Sequence, residues 1–190
     1  MKYIQNLAYK FYEPLEQCIL AGAIDSFSPN EVLYHDLLYA VIYLGTVDGE
    51  LSEEESAFIA DLTDIFTGTN YAEDWDDRGF RRGYTDIYKN MYAANSELYD
   101  NPLYPQTLLA LTAYDGTFGT EFAEMARVMF FRFANVVIKA DGSISSYEES
   151  ALAKYKDKIY SSLVAAPNIE ESETALISSN TSEEMNLDSI

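Results

Sequence analysis

The chain is organised around one stretch, Val47-Asp48-Gly49-Glu50-Leu51-Ser52-Glu53-Glu54-Glu55. A second copy follows later, as Ala140-Asp141-Gly142-Ser143-Ile144-Ser145-Ser146-Tyr147-Glu148. Both copies read Asp-Gly-x-(Leu/Ile)-Ser-x-x-Glu, and each lies between two apolar patterns with helical spacing. The repeat therefore predicts two helix–corner–helix units within one chain.

Ordinary helix chemistry accounts for most of this motif. A glycine ends a helix at little cost, because it adopts a left-handed conformation easily. A serine at the next helix start and a glutamate three residues later form a capping box. We expect these three roles at Gly49, Ser52 and Glu55 in the first copy and at Gly142, Ser145 and Glu148 in the second. Leu51 and Ile144 are then expected to anchor each corner in the core.

The two aspartates need a further explanation, because a capped corner requires neither Asp48 nor Asp141. The motif also matches the second half of an EF-hand calcium loop, with Asp48 at the fifth position and Glu55 as the terminal bidentate ligand. The first half is missing, since Leu44 and Val137 stand where an EF-hand needs an oxygen ligand. The sequence thus excludes an EF-hand and leaves an acidic pair at a tight corner.

Two carboxylates held close together favour a cation or a shared proton. Because the available ligands are all oxygen atoms, the expected ion is Ca²⁺ or Mg²⁺. The second corner is poorer in ligands, since Ser143 stands in place of Glu50 and Lys139 lies close by. The first corner is therefore the stronger candidate. The predicted metal ligands are Asp48, Glu50 and Glu55 at the first corner, and Asp141 and Glu148 at the second.

The repeated corner in a small acidic chain resembles the TerB-like tellurite-resistance family. The resemblance covers roughly residues 28–163. It implies a compact helical domain with an internal pseudo-repeat, and acidic corner residues that hold a divalent metal. It also implies a role in the stress response to tellurite and a complex with a membrane-embedded partner. The family motif falls on Asp48, Gly49 and Glu55 at the first corner and on Asp141, Gly142 and Glu148 at the second.

The charge of the chain restricts its partners. The 190 residues include 32 Asp and Glu against 12 Lys and Arg, which gives a net charge of −20. This charge argues against binding nucleic acid or an anionic membrane surface. No Lys or Arg occurs between Lys10 and Arg78, so the acidity is concentrated there. Such a surface favours cations or a basic protein partner, while a merely solubilising acidic surface is the simpler alternative.

Period-two alternation is absent, so the sequence predicts an all-α bundle of about seven helices. We expect a domain over residues 1–165 and a disordered acidic tail over residues 166–190. Pro14 is expected to divide the first apolar stretch into two short helices or to kink it. Ser28 and Pro29 predict a helix start, and a further helix is expected over about 80–94. The apolar helix over about 121–140 is expected to be the central element.

The sequence also limits location and chemistry. It has neither a signal peptide nor an apolar run long enough to span a bilayer, so we expect a soluble, cytoplasmic protein. Nucleotide-binding loops, catalytic triads and Cys-x-x-Cys motifs are absent, so we expect a non-enzymatic protein. A purely structural, partner-docking module without metal is the main alternative. A metal-dependent hydrolase that uses Asp36, Asp48 and Glu55 is a third, weaker hypothesis.

The sequence predicts roles at four further positions. His35 is the one histidine and cannot build a zinc site without further His or Cys, so we expect a structural role. Asp36 lies on an apolar stripe, and we expect a hydrogen bond from a buried tyrosine rather than a place in the acidic site. Cys18 is expected to be a buried thiol. Asp115-Gly116 is expected to be a plain turn at the end of a short helix.

Overall fold

The computed structural model describes residues 2–26, 28–47, 51–68, 86 and 100–161. These residues form six α-helices and no strand, which confirms the predicted all-α class. The helix expected near residues 80–94 and the expected acidic tail lie outside the described residues. The helices are α1 (Lys2–Leu20), α2 (Pro29–Gly45), α3 (Glu53–Thr67), α4 (Gln106–Phe118), α5 (Phe122–Val137) and α6 (Ser146–Tyr160). Across the described ranges, none of these helices is long and apolar enough to cross a membrane.

Helix α2 lies at the centre of this bundle. It packs against each of the other five described helices, and every residue from Ala40 to Thr46 is buried. The sequence prediction placed the helix that corresponds to α5 in this position. Helix α5 contacts α1, α2, α4 and α6, but its outer face exposes Arg132 and Val136. A helix with charges on one face keeps that face in solvent, whereas the second half of α2 contains no charged residue.

Helix α1 continues through Pro14 as one helix, so the predicted division into two short helices does not occur, and the predicted alternative of a kink stays a prediction. Proline lacks the N–H that would bond to the carbonyl of the preceding turn, which weakens a helix interior. Burial of the flanking side chains offsets this loss: Phe11, Leu15 and Cys18 are fully buried in the core. Tertiary packing against α2 and α4 therefore maintains a helix that local preference alone would interrupt.

The two corners meet the core differently. Leu51 is 4% exposed, as predicted, whereas Ile144 is 41% exposed, which contradicts the prediction. Gly45 lies under the first corner, where Leu51 Cδ1 approaches within 2.7 Å of the position that a Cβ would occupy. The motif aligns Gly45 with Ile138, which is itself buried. The two corners thus differ at both positions, since the second has a buried isoleucine in place of the glycine and an exposed isoleucine in place of the buried leucine.

We expect Gly45→Ala to lower the free energy of unfolding by about 1–3 kcal/mol through overpacking. The added Cβ would lie 2.7 Å from Leu51 Cδ1 and 3.1 Å from Glu55 Cδ. Gly116→Ala in α4 is the matched control, because a Cβ there meets no atom within 4 Å. Urea denaturation should show a loss for the first variant and none for the control. Equal stability of the two variants would mean that the first corner is not tightly packed on α2.

Candidate functional site

The corner glutamates lie in capping boxes. Ser52 Oγ accepts a hydrogen bond from Glu55 N at 3.1 Å, and Glu55 Oε2 accepts one from Ser52 N at 2.9 Å. At the second corner, Ser145 Oγ accepts from Glu148 N at 3.2 Å, and Glu148 Oε2 accepts from Ser145 N at 2.6 Å. Both glutamates are buried. The predicted capping roles of serine and glutamate are therefore confirmed at both corners.

The aspartate of the second corner stabilises its own turn. Asp141 Oδ1 accepts a hydrogen bond from Ser143 N at 2.9 Å, and Asp141 Oδ2 accepts one from the Ser143 hydroxyl at 2.9 Å. These bonds lower the pKa of the Asp141 carboxyl below its usual value. Gly142 has φ of 82°, the left-handed conformation predicted for it. At the first corner, Asp48, Gly49 and Glu50 lie outside the described residues.

The predicted metal site stays a prediction. The structure places Glu55, Asp141 and Glu148 of the five predicted ligands. Within the described ranges, no group of three or more His, Cys, Asp or Glu side chains is arranged to hold a metal ion. A carboxylate that accepts one N–H bond has further lone pairs, so a capping role does not by itself exclude a glutamate as a metal ligand. A cation at the first corner would draw its other protein ligands from the predicted Asp48 and Glu50.

Asp36 joins α2 to the start of α4. Its Oδ1 accepts a hydrogen bond from Gln106 N at 3.1 Å, and its Oδ2 accepts one from Thr107 N at 2.7 Å. The N-cap residue of α4 is Pro105, whose side chain makes no capping bond, so Asp36 supplies the cap from another helix. The predicted hydrogen bond from a buried tyrosine was wrong. The N–H groups and the positive end of the helix dipole attract the carboxylate instead.

Burial raises the pKa of Asp36 to about 6, although the N–H bonds from Thr107 and Gln106 act in the opposite direction. Burial also raises the pKa of the Tyr155 hydroxyl, and the charge of Asp36 raises it further. The Tyr155 hydroxyl is buried and makes no hydrogen bond within the described structure. Burial therefore disfavours the charged form of Asp36, while the N–H bonds from α4 favour it.

Asp115 caps the start of α5 from another helix in the same way. Its Oδ1 accepts a hydrogen bond from Phe122 N at 3.0 Å and another from the Thr120 hydroxyl at 2.5 Å. Its Oδ2 accepts from Ala123 N at 2.8 Å. Asp115-Gly116 lies inside α4, which ends at Phe118, so the predicted plain turn was wrong. One sequence feature could have predicted this cap: Asp115 lies shortly before an apolar helix that has no capping side chain of its own.

Cys18 is buried, as predicted, while the structural role predicted for His35 stays a prediction. His35 is exposed, and its ring lies 5.7 Å from the ring of Tyr34. The Cys18 thiol is buried and donates a hydrogen bond to the carbonyl oxygen of Ala110 at 3.4 Å. Burial raises the pKa of this thiol to about 11, so the reactive thiolate is disfavoured at neutral pH.

Two concave surfaces open beside α2. One has a volume of about 550 Å³ and lies between α2 and residues 103–106, with Asp36 and His35 in its wall. The other is a groove of about 650 Å³ between α1 and α3, with Asn30 of α2 in its lining. Both volumes lie within the range of about 300–1,000 Å³ that is typical of ligand sites.

Comparison with known proteins adds no relative. Neither a family model nor a curated protein nor a solved structure matches the chain. The resemblance to the TerB-like family therefore depends on the two corner motifs and their helical context.

We expect the stability contributed by Asp36 to fall as the pH rises. The folded-state pKa of about 6 exceeds the ordinary aspartate value of 3.8, so the folded protein binds the proton more tightly than the unfolded chain. This contribution is complete below the unfolded pKa and is lost as the pH rises through the folded pKa. Asp36→Asn keeps an oxygen acceptor for α4 but does not titrate, so it serves as the reference.

Urea denaturation of the wild-type protein and of Asp36→Asn at several pH values measures this effect. Between about pH 4.5 and about pH 7.5, the wild-type protein should lose about 2 kcal/mol relative to Asp36→Asn, in the direction set by the raised pKa. Asp36→Ala, which removes the cap, should be less stable than Asp36→Asn by about 1–2 kcal/mol at every pH. A constant difference between wild type and Asp36→Asn would refute the assignment of a raised pKa.

Proposed function

We propose that this protein is a non-catalytic, TerB-like interaction domain that binds a basic partner protein in a cytoplasmic stress response. One observation carries the proposal: the acidic charge is segregated along the chain. Sixteen Asp and Glu, but no Lys or Arg, occur between Lys10 and Arg78. Six of the 12 basic residues belong to the last two described helices and the corner that joins them: Arg127, Arg132, Lys139, Lys154, Lys156 and Lys158.

Acids among the described residues have different surroundings. One group is turned inward and caps helices, as Asp36 and Glu55 do. Another group is exposed on α3, where Glu53, Glu54 and Asp61 face solvent. Exposed charges of one sign stabilise a fold little, but they speed association with an oppositely charged surface. The exposed group on α3 therefore supports a docking role.

The TerB-like identity and the internal pseudo-repeat are parts of the same proposal. They are supported by the matching capping boxes at Ser52–Glu55 and Ser145–Glu148, each at the start of a helix that follows an Asp-Gly corner. The link to tellurite stress, the cytoplasmic location and the membrane-embedded nature of the partner's complex follow from the resemblance and the sequence. A non-catalytic role agrees with the capping and packing functions that the described acids and Cys18 already perform.

Reversing the charge of the α3 surface should abolish partner binding. Glu54→Lys with Asp61→Lys changes two exposed acids of α3, one in its first turn and one further along. Glu149→Lys with Asp157→Lys is the matched control on α6. The immobilised proteins are exposed to extract of the source cell at low and at raised salt, and the captured proteins are quantified by mass spectrometry. We expect a salt-sensitive partner that the α3 variant loses and the control retains; identical capture by both would refute the proposal.

A divalent cation at the first corner is the second part of the proposal, and Glu55 is the observation that favours it. This buried carboxylate lies against Gly45 at the corner itself. We expect Ca²⁺ to raise the melting temperature of protein first treated with a chelator. Asp48→Asn with Glu55→Gln should remove most of the rise, since the amide has no charge for the ion.

Glutamine is suited to this experiment because it also completes a capping box, so the loss of charge is separated from the loss of the cap. Glu148→Gln is the control at the second corner and should leave most of the Ca²⁺ response. Titration calorimetry that gives no heat with either Ca²⁺ or Mg²⁺ would exclude the cation site. That result would favour the alternative of a partner-docking helical module without metal.

A further inference from the structure

The groove between α1 and α3 has walls of aromatic and aliphatic side chains. Tyr9 and Tyr12 line it from α1, and Ile65 and Phe66 line it from α3. Both helices pack on α2, which supplies Asn30 to the lining. The groove therefore lies between two helices that pack on the same third helix.

Two of these side chains are exposed on the surface of α1. Tyr9 is 86% exposed and Tyr12 is 41% exposed. They lie three residues apart on α1, so their rings are neighbours on one face of the helix. Tyrosine combines a large apolar ring with a hydroxyl that tolerates water, which is why it is enriched at protein–protein contacts. The pair therefore forms an apolar surface that is available to a partner.

The rim of the groove is acidic. Glu13 belongs to its lining, one turn after Tyr9. Glu16 is exposed one turn after Tyr12, and Asp61 is exposed one turn before Ile65. Lys10 is the one basic residue among the described lining residues. An apolar floor with an acidic rim is complementary to a helix that has apolar side chains on one face and Lys or Arg beside them.

We propose that this groove binds a basic amphipathic helix of the partner protein, with large apolar side chains between the tyrosines of α1 and the end of α3. This inference rests on the proposed function and names the surface and the partner chemistry. The charge distinguishes this occupant from two others. Residues 166–190 of the chain carry six acids and no Lys or Arg, and a second copy of the chain carries a net charge of −20. Both are repelled by the acidic rim.

The test uses the full chain and a fluorescently labelled helical peptide with leucines on one face and lysines on the other. Binding is measured by fluorescence anisotropy. Tyr9→Ala with Tyr12→Ala should weaken binding at least tenfold. The control is Tyr147→Ala with Tyr160→Ala on α6, where the residues are similarly exposed at 66% and 41%. The control should bind the peptide as the wild-type protein does, and both double variants should keep the wild-type melting temperature.

Two further peptides separate groove binding from general attraction to an acidic protein. A peptide with glutamate in place of lysine should not bind. A peptide of the same composition with its leucines dispersed around the helix should bind weakly and equally to all variants. Equal binding of the leucine–lysine peptide to both tyrosine variants would overturn the proposal. Self-association of the wild-type chain that is lost in Tyr9→Ala with Tyr12→Ala would assign the groove to a second copy and would also overturn it.

The capture experiment distinguishes a failure of the groove proposal from a failure of the proposed function. If Glu54→Lys with Asp61→Lys abolishes partner capture while the α1 tyrosine variant retains it, the acidic surface of α3 binds the partner and the groove does not. If both variants retain capture, both proposals are refuted. If both lose it while both control variants keep it, the groove and the acidic surface form one docking site.

Discussion

The structure depends on satisfying the N–H groups at the starts of its helices. Each helix begins with several N–H groups that have no partner within the helix, and their burial without one is costly. Serines meet this need for α2, α3 and α6, and the corner glutamates return a bond to the serine backbone in the last two. Asp36 and Asp115 meet it for α4 and α5 from outside those helices. Helix capping thus also ties α2 to α4 across the bundle.

Because some acids cap helices, only part of the net charge of −20 is available for recognition. An acid that accepts N–H bonds is fixed by the fold, and replacing it costs stability rather than recognition. Asp36 is the clearest case, because burial raises its pKa to about 6 while α4 still depends on its oxygens. The exposed acids of α3 have no such task in the described structure. That surface and the adjoining groove, where apolar side chains and negative charge lie side by side, are therefore the proposed recognition surface.

The local parts of the fold and of the candidate site were predictable from sequence. A capping box is set by residues three positions apart, so the starts at Ser52 and Ser145 followed from the pattern. The partners of Asp36 and Asp115 were not predictable in this way. An acid on an apolar stripe signals that a partner exists, but the N–H groups that it binds lie up to 71 residues away for Asp36. The exposure of Ile144 was not predictable either, because the motif is the same at both corners while the burial of its apolar residue differs.

By itself, the sequence determined the helical class, two capped corners, the burial of Cys18 and the concentration of acids in the first half of the chain. Periodicity, capping and charge are properties of neighbouring residues, so they can be read without coordinates. The tertiary structure alone decided that α2 is central, that α1 continues through Pro14 and that a tyrosine-lined groove separates α1 from α3. These features depend on which helix faces meet, because packing energy is shared between residues that are distant in sequence and overrides local preference.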